Sequence, residues 1–246
     1  MKRAQSRLVF AIFVLSLGAS AFAFNADAQN TSSVSSPGVK SGEREIEYRF
    51  GWAPDDDGGD SYAHRFDYGF AINERTSLKV FATLEDRPGQ DLRFDNINTE
   101  YLIELSPEGA RLWQTGIRFD TRISNGPDAE RLGLNWLNRW TLNDRISARA
   151  MLIATREFGD RAEENVAFEL RSSVTYKLDG DYEAALLAFN ELGTTDAIGT
   201  GGLPQQVGPT LSGPLGQGWR WTAGNLFGVS DSAPDNDIRL WVSRDL

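Results

Sequence analysis

Charged residues in this chain recur at every second position within otherwise apolar stretches, giving each stretch one charged face and one apolar face. Glu45, Glu47 and Arg49 form one such row. Arg65 with Asp67, Lys79 with Glu85, Glu100 with Glu104, and Arg118 with Asp120 and Arg122 form others. Arg131, Arg139, Arg149, Glu169, Arg171 and Arg239 carry the pattern to the C terminus. Residues two apart on an extended chain point the same way, so these side chains are expected on one common surface. There they can do one of two things: pair with one another and hold a wall together, or line a narrow polar passage.

Other chemistry is sparse. His64 is the single histidine, and Tyr62 and Phe66 occupy the positions two residues away. A hydrolytic His–Ser pair on one strand face therefore lacks its nucleophile. The chain has no cysteine, which removes thiolate catalysis and sulfur-bound zinc. Asp55-Asp56-Asp57-Gly58-Gly59-Asp60 offers oxygen ligands to a hard divalent cation, but without the spacing of a calcium loop. Asp231, Asp235 and Asp237 read as a looser acidic loop. No catalytic residue, cofactor site or defined metal site is expected, and an enzyme is the least supported reading.

The elements that must position the charges are strands. Ile46, Tyr48, Phe50 and Trp52 oppose the first charged row; Tyr62, Phe66, Tyr68, Phe70 and Ile72 oppose the second. Similar alternation recurs to the C terminus and gives twelve candidate strands of roughly ten to fourteen residues. Long acidic connections (55–60, 86–91, 124–129, 156–164, 193–202 and 231–237) alternate with short ones (73–75, 106–109, 143–144, 179–181 and 213–216). Residues 181–192 also fit a helix, with Tyr182, Ala185, Leu186 and Phe189 at helical spacing. An even strand number favours a strand there, and a return strand at 203–212 despite Pro204 and Pro209. The expected fold class is all-β: an antiparallel, up-and-down transmembrane β-barrel over residues 43–246. A soluble sandwich would show the same period. Aromatic residues near strand ends and a charged opposite face favour the membrane barrel, with short turns on the periplasmic rim and long loops outside.

Residues 1–28 read as a cleaved signal peptide: Lys2, Arg3 and Arg7, then the apolar run Leu8 to Leu17, then Ala26-Asp27-Ala28. Residues 29–42, small and polar, read as a flexible periplasmic lead. Removing the signal takes three positive and one negative residue from 25 and 35, leaving 22 and 34 and a net charge of −12. That balance argues against nucleic acid as a partner. A hydrophobic content of 40% argues against a helical membrane protein, but not against a barrel, in which only alternate residues face lipid.

Gly208-Pro209-Thr210-Leu211-Ser212-Gly213, then Ala223-Gly224-Asn225-Leu226-Phe227-Gly228, then a closing strand from Ile238 to Leu246, resemble a proteobacterial outer-membrane family. It is the group labelled as transporters of the phenol-degradation meta-pathway type, with many uncharacterised relatives. The resemblance implies a barrel and passage of small solutes, aromatic ones among them, and supplies no catalytic residue. This chain departs from the usual aromatic last residue by ending in Arg244-Asp245-Leu246. The expected function is a narrow passive channel in the outer membrane of a Gram-negative bacterium. The alternative is a non-transporting barrel whose acidic loops contact lipopolysaccharide or divalent cations. Expected partners are outer-membrane lipid, lipopolysaccharide, the barrel-assembly machinery and small solutes.

Overall fold

The computed structural model describes residues 31–54 and 59–246. Residues 1–28, expected as a signal peptide, lie outside the described residues, as do residues 29–30 and Asp55 to Gly58. Twelve strands follow one another: β1 (Arg44–Ala53), β2 (Ser61–Ala71), β3 (Thr76–Asp86), β4 (Arg93–Glu104), β5 (Trp113–Ser124) and β6 (Glu130–Thr141). They continue as β7 (Ile146–Phe158), β8 (Val166–Lys177), β9 (Glu183–Thr194), β10 (Gln205–Gly216), β11 (Trp219–Gly228) and β12 (Asn236–Asp245). Each pairs antiparallel with its sequence neighbours, and β1 pairs with β12, so the sheet is a closed barrel. Closure leaves no unpaired edge. Even the last residue joins the ladder, Leu246 N–H donating to Arg44 O at 2.8 Å.

The alternation sorts the two faces. Large apolar side chains such as Phe66 (53% exposed), Trp136, Leu134 and Ile123 stand outward, while Arg49, Arg65, Asp67, Arg118 and Arg122 are buried inside. A continuous outward belt of exposed apolar residues suits lipid rather than water. The segment with helical spacing is strand β9; only Asp179–Asp181 makes a single 3₁₀ turn, with Gly180 at φ 75°. The return strand at 203–212 is β10, but it extends beyond the expected range. The turn expected at 213–216 lies at 217–218 instead. A reason is visible at Gly213, where an added Cβ would overlap the Tyr182 ring. Glycine accepts the ring that covers the strand there, and pairing continues to Gly216.

The lead behaves differently from expectation. Residues 31–39 are not a free periplasmic tail but run inside the barrel. Val34 packs with Leu187, Phe189 and Leu226, and Val39 packs against a cluster of Leu102, Leu137, Met151 and Ile153. Pro37 lies over Gly116, where a Cβ would approach the proline ring carbon to 3.1 Å. Two valines five residues apart thus fill the two apolar patches of an otherwise polar interior. Val34 is buried and Val39 half-buried; full burial of a valine side chain is worth about 1.5–2 kcal/mol on transfer arguments.

Candidate functional site

The interior of the barrel is the candidate site. Arg49, Arg65, Asp67, Arg118, Arg122 and Arg239 are buried within the barrel, and Glu47, Glu100, Asp120, Arg131, Arg139, Arg149, Glu169 and Arg171 line its internal cavities. Most of them are brought together as ion pairs, and the shortest pairs are mostly local. A residue and the next but one are about 6.6 Å apart on a strand and share a face, so an arginine can fold back onto its own neighbour. Arg49 meets Glu47 at 2.6 Å, Arg65 meets Asp67 at 2.7 Å, and Arg118 meets Asp120 at 2.7 Å. Arg171 meets Glu169 at 2.6 Å through both nitrogens of its fork, and Arg239 meets Asp237 at 2.6 Å.

Cross-strand contacts knit these units together. Arg118 also reaches Glu100 at 3.1 Å, Arg122 reaches Asp95 at 2.7 Å, and Arg131 reaches Glu157 at 2.9 Å. Lys79 lies 3.6 Å from Glu47 and 3.9 Å from both Glu45 and Asp67. Inward aromatic rings carry guanidiniums on their faces: Arg65 over Phe81 at 3.3 Å, Arg49 over Trp241 at 4.5 Å, and Arg239 over Phe189 at 4.7 Å. An inward tryptophan on β12 therefore has a cation to hold.

One sequence expectation needs correction, and it lies beside the seam between β1 and β12. There Arg239 lies opposite Gly51, while Glu47 lies opposite Ser243. Arg239 instead takes Asp237 on its own strand. Asp237 is thus no loop acid: it is a β12 residue with no exposed surface. Sequence reading also passed over Arg87, Asp95 and Glu157. The i, i+2 spacing of Glu85 and Arg87, which meet at 2.9 Å, was a usable signal. Asp95 and Glu157 depend on strand register and had none.

The same arginines hold the internal segment. Arg49 Nη1 donates to Thr31 O at 2.7 Å, Arg239 Nη1 to Ser32 O at 2.7 Å, and Arg118 Nη1 to Ser35 Oγ at 2.7 Å. Arg149 Nη1 donates to Val34 O at 3.3 Å, and Glu104 accepts from the Val39 N–H at 2.8 Å. On either side of the segment lies a cavity. One of 630 Å³ faces the short-turn rim and is lined by Glu45, Lys79, Arg139, Arg149 and Ser243. One of 270 Å³ faces the long loops and is lined by Arg122, Arg131, Glu157 and Glu191. Glu100 and Arg118 line both.

Outside the lumen, His64 sits on the outward face, with Nδ1 2.8 Å from the Tyr48 hydroxyl and its ring against Phe50. Asp60 accepts from Trp52 Nε1 at 3.1 Å and from the Tyr62 hydroxyl at 2.9 Å.

Comparison with solved structures agrees with this geometry. An outer-membrane channel from Pseudomonas putida F1 superposes with a TM-score of 0.67 at 10% identity, covering 89% of this chain and 98% of that one. What is shared is the fold, a closed antiparallel barrel. The KdgM porin, solved in complex with disordered oligogalacturonate, superposes with a TM-score of 0.61 at 12% identity, covering 82% and 99%. The NanC porin does so with a TM-score of 0.61 at 11% identity, covering 82% and 100%. No family model and no curated protein sequence matches the chain.

Proposed function

We propose that this barrel is a narrow passive channel for small polar solutes in the outer membrane of a Gram-negative bacterium. One observation carries the reading: two cavities lie in the lumen on either side of the internal segment, with Glu100 and Arg118 lining both. A fully packed barrel would have neither. The lumen aromatics Phe81, Phe189 and Trp241 are covered by guanidiniums, so the surface offered to a solute is charged and hydroxylic rather than apolar. Lipopolysaccharide around the wall and delivery by the barrel-assembly machinery belong to the same reading.

Reconstitution in planar bilayers tests it. Folded protein should give small, discrete conductance steps. Deleting residues 31–40 should raise the step size several-fold, because the segment occupies the waist of the lumen. A silent bilayer with correctly folded protein, with and without the deletion, would sink the channel. Orientation has its own test. A protease site inserted after Gly58 should be cut on intact cells and one after Asn143 should not, since long loops face outward in this reading.

A further inference from the structure

Nearly all the lumen arginines described above have a carboxylate partner. Arg139 on β6 and Arg149 on β7 do not. They stand directly opposite each other in the register, so their Cα atoms are about 5 Å apart. Among the described residues neither makes an ion pair, and Arg139 makes no hydrogen bond. Arg149 reaches only Val34 O, at 3.3 Å through one nitrogen. The Nε atom of each is buried without a partner. Like charges placed directly opposite on neighbouring strands are destabilising, and a buried donor left unmade adds to the cost. The carboxylate of the wall that acts on Arg149 is Glu183, and it does so at a distance, without an ion pair.

The surroundings say what could. Both side chains line the 630 Å³ cavity at the short-turn rim, whose size falls in the range of small-molecule sites. Ser173 lies opposite Arg149 on β8, and Thr175 follows on the same face, so hydroxyl donors flank the pair. The carboxylates lining the cavity are Glu43, Glu45, Glu47, Glu100 and Glu183. Glu43 faces Lys40, Glu45 and Glu47 face Lys79, and Glu100 faces Arg118. Glu183 on β9 is the remaining one, and it makes no ion pair with either arginine.

We propose that Arg139 and Arg149 form a binding site for the oxyanion group of a small solute, a carboxylate or a phosphate, in the vestibule at the short-turn rim. Two guanidinium forks present paired N–H donors that match such a group, whose negative charge between them would offset their mutual repulsion. The site rests on the channel reading in supplying the solute's charged end, but its binding does not require passage.

Calorimetry on the full chain, folded in detergent at low ionic strength, tests the site with two probes, inorganic phosphate and malonate. Saturable one-to-one binding of at least one probe is expected, and the preferred probe identifies the oxyanion. Arg139→Gln with Arg149→Gln should weaken it more than tenfold, and Arg139→Lys with Arg149→Lys should weaken it less. Arg220→Gln removes another arginine from the same cavity and should leave binding within about twofold. Heat-modifiable gel mobility checks that each variant is folded, and the Lys variant stands in if the Gln variant is not. No saturable binding of either probe would overturn the site. So would a double Gln variant that binds like the parent, or an Arg220→Gln loss equal to the double variant's. Bilayer silence with intact phosphate or malonate binding would reject the channel and keep the site.

Discussion

The walls formed by β12, β1 and β2 and by β6 and β7 use the same side chain in opposite ways. On the first wall an acid sits two residues from each buried arginine, so Glu47 with Arg49, Arg65 with Asp67, and Asp237 with Arg239 close their charge within one strand. On the second wall Arg139 and Arg149 face each other across strands with no acid on either side. A charge neutralised by its own strand is structural: it anchors the wall and, through spare N–H groups, the internal segment. A charge left open on the same kind of surface remains available to something that enters.

That contrast can be broken, starting where the effect is largest. Asp237→Ala leaves the Arg239 guanidinium with no exposed surface and without its carboxylate. It should cost about 3–5 kcal/mol, read as a lowered urea midpoint in tryptophan fluorescence. A loss under 1 kcal/mol would show that Arg239 does not depend on its strand neighbour. Glu169→Gln keeps the shape but not the charge beside Arg171. The bidentate contact at 2.6 and 2.7 Å is partly reachable by water, so the expected loss is smaller, about 1.5–3 kcal/mol. Arg139→Met should act in the other direction. Removing one of two opposed like charges should leave stability unchanged or raise it by about 0.5 kcal/mol. Strong destabilisation by Arg139→Met would erase the distinction between the two walls.

Much of this was legible in the sequence because a strand has a period of two. Apolar and charged residues on β1, β2, β5 and β6 separate cleanly, so facing and strand number follow. The i, i+2 charge pairs were equally visible as Glu-x-Arg, Arg-x-Asp and Asp-x-Arg. Register was not legible, because it is set by pairing over the whole closed sheet. The partnership of Arg122 with Asp95, and the position of Arg239 opposite Gly51, emerge only there. The internal segment was hidden for another reason. Its serines and glycines match the composition of a mobile tail, and the two valines that seat it, Val34 and Val39, show no period. Glycine-rich β10 misled locally, since Gly213 looks like a turn residue until the Tyr182 ring is placed over it.

The clamp on residues 31 and 32 has a consequence for the order in which the molecule is made. Thr31 is held by Arg49, 18 residues away in sequence, whereas Ser32 is held by Arg239, 207 residues away. The first contact can form as soon as the first strand exists. The second must wait until the final strand arrives, and contacts of such separation form late and slowly. The barrel therefore has to close around its own leading segment. The clamp on the leading segment is complete only when β12 is in place beside β1.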